Sequence, residues 1–258
     1  EKYGLKYSVV CRAHRWDVYD ENGEMPYRKY CIENIDKIFP ISQDACNYFG
    51  KKYGHNDKYV LARLGVQKRN ATTRASTKNN FHVLTISQLI KRKRVDLALE
   101  AIVEFAIRNK DLNIKWIHFG TGELENKLKE KILSINITNL NIQFMGYVPN
   151  TEILKFLESA TIDVFINLSS SEGVPVSIME AQSYGIPVIA TNVGGSGEII
   201  NENNGILLSP NPNINDVVTA MEKVYKSNYN REIIKKYWNK MSNAQTNFQY
   251  FASLLSKQ

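Results

Sequence analysis

Two carboxylates lie close together in SEGVPVSIMEAQSYGIPVIATNVGG, residues 171–195: Glu172 and Glu180, on either side of a Gly-Val-Pro step. Paired acids suit two kinds of chemistry. They can work as acid and base across a glycosidic bond. They can also accept hydrogen bonds from hydroxyl clusters at two places on one extended polar ligand. The residues between them add an anion site. Gly173 and Val174 fall in the turn before a helix opened by Pro175, a residue suited to the first helical position. N–H groups at a helix start lack intrahelical partners and attract anions, and a glycine there lets a phosphate approach the backbone. Glu172 belongs to the strand-to-helix loop and Glu180 lies more than one turn inside the helix, so both can face one crevice.

Three further loops carry compatible residues. Lys93, in SQLIKRKRV, follows the apolar run FHVLTIS and precedes a helix, placing a point charge where a phosphate could sit. Gly120-Thr121-Gly122 joins a strand to a helix in FGTGELENKL, and Gly146 to Asn150 follow a strand in FMGYVPN. Strand-end loops suited to phosphates, a ribose and a polar ring together describe a nucleotide-sugar.

The elements that must position these loops alternate along the chain. FHVLTIS, IKWIHFG, NIQFMG, IDVFINL, IPVIAT and GILLS read as short apolar strands; DLALEAIVEFAIR, ELENKLKEKIL, TEILKFLESA, PVSIMEAQSYG and INDVVTAMEKVYK read as helices. The pattern predicts a doubly wound α/β fold with a parallel sheet covered on both faces, and ligands of such sheets bind beyond the carboxyl ends of the strands. Upstream, YSVV, KIFPIS and KYVLARL read as strands around the helix QDACNYFGKKYG. The polar stretch GVQKRNATTRASTKNN, residues 65–80, reads as a linker. The expected organisation is a partial domain over 1–64, this linker, a ligand-binding domain over 81–228 and a helical tail over 229–258, whose Tyr237, Trp238, Phe248, Tyr250 and Phe251 read as packing residues.

Composition narrows the partners. The 258 residues carry a formal charge of +7, which fits an anionic small substrate, an anionic membrane surface or nucleic acid. No recognisable nucleic-acid module accompanies Lys91-Arg92-Lys93-Arg94, which argues against nucleic acid. No apolar run approaches the length of a membrane span. Three cysteines, Cys11, Cys31 and Cys46, without a CxxC, indicate a reducing compartment. The histidines His14, His55, His82 and His118 show no ligand spacing and there is no Asp-x-Asp, so no metal is expected.

These residues resemble a known family. The 171–200 segment is similar to the donor-binding motif of retaining GT-B glycosyltransferases of the GT4 family, whose two glutamates are separated by seven residues, as here. LTISQLIKRKRVDLALEAI, HFGTGELENKL and IQFMGYVPNTEI match the same family in order and spacing, so the resemblance spans about residues 80–225. It implies a GT-B fold: a complete C-terminal Rossmann-like domain plus part of an N-terminal Rossmann-like domain. Glu180 would bind the ribose, Glu172 the transferred sugar near the reacting centre, and Gly173, Val174 and Pro175 the diphosphate and sugar. Lys93 would stabilise the departing nucleotide, and Gly120 and Gly122 would line the donor site. Tyr147 and Val148 lie where the family holds the base. Gln88 stands where the family often has an arginine, which leaves phosphate charge to Lys93, with Arg92 or Arg94 as helpers. VVCRAHRWDVYDE resembles the acceptor-domain histidine segment, with His14 near the reactive carbon, although Arg15 replaces the usual glycine. The family's first strands and glycine-rich loop are absent, so the chain reads as N-terminally truncated.

The resemblance implies transfer of a sugar, with retention, from a UDP- or GDP-sugar to a saccharide or lipid-linked saccharide hydroxyl, without metal. The expected setting is bacterial surface polysaccharide assembly, in the cytoplasm or peripheral on the inner membrane face. A catalytically incomplete GT-B fragment that only binds nucleotide or a partner, and a glycoside hydrolase using Glu172 and Glu180, stand as alternatives.

Overall fold

Short runs rich in Val, Ile and Phe cannot bury themselves alone, and neither can the one-sided helices between them; each covers the other. The computed structural model describes residues 8–20 and 28–256 and shows this arrangement. Six parallel strands form the main sheet: β3 (Asn80–Ile86), β4 (Asn113–Phe119), β5 (Leu140–Phe144), β6 (Val164–Asn167), β7 (Val188–Thr191) and β8 (Gly205–Leu208). Their spatial order is β5-β4-β3-β6-β7-β8, so the chain reverses direction between β3 and β6. Crossovers of one hand on each side of that point put helices on both faces.

One face carries α4 (Val95–Arg108) and α9 (Ile214–Lys226). Phe81, Leu99, Phe105, Trp116 and Met221 fill the space beneath them. The other face carries α6 (Asn150–Ser159), α7 (Val176–Ser183) and α10 (Arg231–Ser242), over Leu84, Ile117, Phe165, Ile178, Tyr184 and Trp238. α5 (Glu125–Leu133) follows β4, and a short helix α8 (Ser196–Ile199) follows β7. The sequence pattern located every strand of this sheet to within a few residues and missed α8, which is too short to show a period. Pro175 is the residue that caps α7, with ψ 116°, rather than its first helical residue.

The upstream part is a smaller unit. β1 (Val10–Ala13) pairs in parallel with β2 (Lys37–Pro40). Around them lie α1 (Arg15–Val18), α2 (Arg28–Asn34) and α3 (Gln43–Tyr53). The strand expected over YSVV begins only at Val10, and Tyr7 lies outside the described residues, as does Glu21 at the end of the histidine segment. KYVLARL is extended but forms no full strand: Val60 and Ala62 donate to the carbonyls of Ile38 and Pro40. Residues 65–80, expected as a polar linker, are tied along their length. Val66 exchanges hydrogen bonds with Ser242 and Ala244, and the N–H groups of Thr73 and Arg74 reach the carbonyls of Tyr184 and Ala160. Backbone pairing of this kind needs no apolar side chains, so composition could not reveal it.

The tail is two helices, α10 and α11 (Ala244–Leu255), and α11 returns to the upstream unit. Phe251 meets Phe39 edge-on at 5.1 Å, and the Arg12 guanidinium lies 5.2 and 4.7 Å from the rings of Phe248 and Phe251. Trp238 on α10 is buried in the core. Trp238→Ala is expected to cost about 3–5 kcal/mol of unfolding free energy, read as a lowered midpoint in urea denaturation, whereas Tyr250→Ala, on an exposed face, is expected to change it little.

Candidate functional site

The reversal between β3 and β6 opens a crevice at their carboxyl ends. The two strands pair through only Val83↔Val164 and Leu84↔Phe165, and both then run on without pairing to each other, to Ile86 and Asn167. The loops that follow face one another there. Ser170 N–H donates to the Arg92 carbonyl at 2.8 Å, which ties the post-β6 loop to the post-β3 loop.

Lys93 and Glu172 meet across this crevice. A single 3-10 turn over Lys91–Lys93 ends in Arg94, whose positive φ of 48° redirects the chain into α4. Lys93 Nζ lies 2.5 Å from Glu172 Oε1, and both side chains are largely buried. Asn167 Nδ2 reaches the same oxygen at 3.4 Å. Asn167 Oδ1 in turn accepts the Ser169 N–H, and Thr191 Oγ1 donates to the Ser169 carbonyl. Arg94 is committed elsewhere: its guanidinium donates to the Pro210 carbonyl and Asn211 Oδ1, both at 2.7 Å. Gln88 is exposed in the same loop.

Glu180 has a separate partner. It is buried on α7, and its Oε1 accepts from Asn150 Nδ2 at 3.0 Å. Burial raises its pKa above the ordinary carboxylate range, against the lowering effects of Asn150 and the Arg69 charge. The two glutamates therefore occupy different polar environments: Glu172 is neutralised by a lysine, and Glu180 is held by an amide.

The glycines serve close packing. A Cβ on Gly120, at φ 139°, would sit 1.8 Å from the Ser87 carbonyl oxygen, and one on Gly122 would meet the Leu89 backbone at 2.5 Å. These two residues let the post-β4 loop lie against the post-β3 loop. Gly173 faces the upstream unit, where its Cβ would meet Arg15 and Ile41 at 3.2–3.3 Å. Val174 is buried beside it. The Gly173 carbonyl accepts from Gly195 N–H at 2.6 Å, and Gly194, at φ 52°, passes under the Glu172 carbonyl. Tyr147 is 79% exposed, while Val148 packs at the edge of the α6–α7 core.

His14 stands at the carboxyl end of β1, exposed, with its N–H bonded to Asp17 Oδ2 at 2.8 Å. Its neighbour Arg15, which the sequence presented as a departure from a family pattern, projects into the crevice. It is buried and donates from Nε to Ser171 Oγ at 3.1 Å. Tyr19, Asp20 and Tyr48 face Ser170, Ser171, Glu172, Val193 and Gly194 around a hollow of about 400 Å³. Sequence reasoning placed Asn150 in a candidate loop without giving it a task, and it missed Arg69, far in the chain from Glu180, and Asn167, five positions before Glu172. It named His118 only as a histidine without ligand spacing. His118 is buried, its Nδ1 2.8 Å from Thr85 Oγ1, which itself receives Trp116 Nε1–H. Burial lowers its pKa to about 4, so it is a neutral packing group at neutral pH. Among the described residues no group of three His, Cys, Asp or Glu is placed to hold a metal ion, and no helix is long and apolar enough to cross a membrane.

Comparison with known proteins identifies the family and the fold. The family model for glycosyl transferases group 1 matches residues 67–241. The chain is 27% identical over 160 residues, 60% of its length, to the amylovoran biosynthesis glycosyltransferase AmsK of Erwinia amylovora, of which the match covers 39%. It is 30% identical over 226 residues, 85% of its length, to a phosphatidylinositol N-acetylglucosaminyltransferase subunit of Arabidopsis thaliana, covering 49% of that protein. The chain thus spans about half the length of these two relatives, or less. Among solved structures, the pneumococcal O-GlcNAc transferase GtfA in complex with UDP and GlcNAc superposes with a TM-score of 0.76 over 96% of this chain and 52% of that one, at 19% identity. The fold is that of GT-B glycosyltransferases.

The raised pKa of Glu180 has a consequence for stability. As pH rises, the unfolded chain releases this proton first and the folded chain holds it longer, so folding stability falls through the window between the two values. Glu180→Gln is expected to remove that decrease. Thermal melts from pH 4 upward check it: the variant should gain on the unaltered chain as pH rises, and parallel curves would show that Glu180 does not titrate abnormally.

Proposed function

Because the chain belongs to the glycosyl transferases group 1 family, we propose that it carries the donor half of a GT4-type transferase that moves a sugar, with retention, from a nucleoside diphosphate sugar to an acceptor hydroxyl. The observation that carries this reading is the Lys93–Glu172 pair at the β3/β6 switch point, beside the start of α7. Open α/β sheets bind nucleotides at this place.

In this reading the donor lies along the crevice. Glu180 accepts the ribose hydroxyls, with Asn150 fixing its carboxylate. The diphosphate sits at the start of α7, where Gly173, Val174 and the N–H groups beyond Pro175 face it. Lys93 lies at the same point. With donor bound, its ammonium turns from Glu172 to the phosphates and stabilises the charge that develops as the glycosyl–oxygen bond breaks. Glu172, released, accepts hydroxyls of the transferred sugar. Tyr147 and Val148 flank the base, and His14 approaches the sugar from the acceptor side. The acceptor hydroxyl then attacks from the face the nucleotide leaves and passes its proton to the departing diphosphate oxygen, which gives retention. Leaving-group charge is carried by Lys93 and backbone N–H groups rather than by a divalent cation.

UDP is the favoured nucleotide, supported by the GtfA complex, and GDP is the second candidate. AmsK supports a role in surface polysaccharide assembly. The positive charge of the chain suits work at the anionic inner membrane face on a lipid-linked saccharide.

Calorimetric titration with UDP tests the donor assignment. Lys93→Ala is expected to weaken UDP binding by about 10–100-fold, the worth of one charge-assisted hydrogen bond, and unchanged affinity would remove Lys93 from the phosphate site. In a transfer assay the same variant is expected to lose about 10²–10³ in turnover, and EDTA should leave the unaltered protein's rate unchanged. A rate abolished by EDTA and restored by magnesium would overturn the assignment of leaving-group charge.

A further inference from the structure

Beside the Lys93–Glu172 pair lies a second cluster, built on Trp16. α1 carries Arg15 and Trp16 into the crevice mouth, and the post-β3 turn brings Arg92 to the same ring. The guanidinium carbons of Arg15 and Arg92 lie 4.8 and 5.8 Å from the Trp16 ring centroid. Trp16 is nevertheless 56% exposed, an unusual state for so large an apolar surface. Arg92 Nε is buried with no hydrogen-bond partner among the described residues.

Arg15, Arg92 and Lys93 gather near one carboxylate, Glu172, which Lys93 already engages. The nearby acids among the described residues are committed: Asp17 accepts the His14 N–H, and Asp20 accepts from Arg28, Tyr48 and Lys52. Burial first, and then the Arg92 charge, lower the Arg15 pKa, with Glu172 acting in the opposite sense. Arg92 therefore brings to the exposed face of Trp16 a guanidinium whose Nε has no partner among the described residues. A guanidinium fork is suited to carboxylate or phosphate, and an open indole face is suited to the flat apolar side of a sugar ring.

We propose that Trp16 and Arg92 form an acceptor subsite for a saccharide bearing an oxyanion, with the sugar ring on Trp16 and the anion on Arg92. Arg15 is a positioning residue, pinned by Ser171 and holding Trp16 at the mouth of the crevice. The oxyanion is a uronate carboxylate or a phosphoryl group. Calling the ligand an acceptor rests on the transferase reading above; the binding preference itself does not.

Binding of three small probes to the chain, with UDP present to occupy the donor site, tests the subsite: methyl glucuronide, glucose 1-phosphate and neutral methyl glucoside. At least one anionic probe is expected to bind about tenfold more tightly than the neutral one, with a preference that fades as salt is raised. A glucuronide preference assigns the anion to a sugar carboxylate, and a glucose 1-phosphate preference assigns it to a phosphoryl group. Arg92→Gln should abolish the preference and Trp16→Ala should weaken all three probes. Equal affinity of the unaltered chain for all three, or no binding of any at about 10 mM, where even a weak contact registers, would overturn the proposal however the variants fold. UDP binding to the unaltered chain is measured separately, so failure of the donor assignment is distinguishable from failure of the subsite.

Discussion

The Lys93–Glu172 contact depends on a local failure of strand pairing and in turn holds together much of what surrounds it. Two largely buried opposite charges are costly to desolvate and persist only where geometry and further hydrogen bonds compensate. Here the compensation comes from Asn167 and from a loop whose backbone is fixed at Ser169 and Ser170. Those fixings are possible because β3 and β6 stop pairing after Leu84 and Phe165. Had the two strands stayed in register to their ends, the loops after them would have had no crevice to face across.

From that contact the packing spreads outward through backbone. The post-β6 loop is held from below by Gly194 and Gly195, and it touches the upstream unit through Gly173. A side chain at Gly194 or Gly195 would push the loop off its neighbours, and one at Gly173 would crowd Arg15 and Ile41. The two units are also joined by Arg15 to Ser171, by Arg63 to Glu198 at 2.6 Å and by the Asp44 N–H to the same glutamate at 2.9 Å. α11 completes the connection on the far side through Phe251 and the Arg12 contacts. The crevice between the units is therefore bounded by polar contacts, with Ile41 packed into the core beneath α7 beside them and the tail adding Phe251 on the far side.

These contacts also assign distinct tasks to similar residues. Glu172 and Glu180 share a segment and a chemistry, yet one is paired with a lysine and the other is bonded to an amide and raised in pKa by burial. Arg92 and Arg94 are two residues apart, but the left-handed turn at Arg94 sends its guanidinium to Pro210 and Asn211, while Arg92 stays with Trp16. Position relative to a strand end, rather than residue type, separates their roles.

The sequence by itself determined the order of strands and helices in the main sheet, because apolar periodicity is written locally and each strand is short and apolar throughout. It also determined that Glu172, Glu180 and Lys93 belong to strand-end loops and helices of one sheet, and the motif spacing carried the family. Only the tertiary structure decided which of these side chains meet. The Lys93–Glu172 pair joins residues 79 positions apart, and Asn150 reaches Glu180 over 30; no local pattern encodes such distances. The same limit explains the ordered 65–80 connection, held by backbone bonds that composition does not record. It explains as well why Arg15, which in sequence only interrupted a motif, proved to be the residue that bridges the two units at the site.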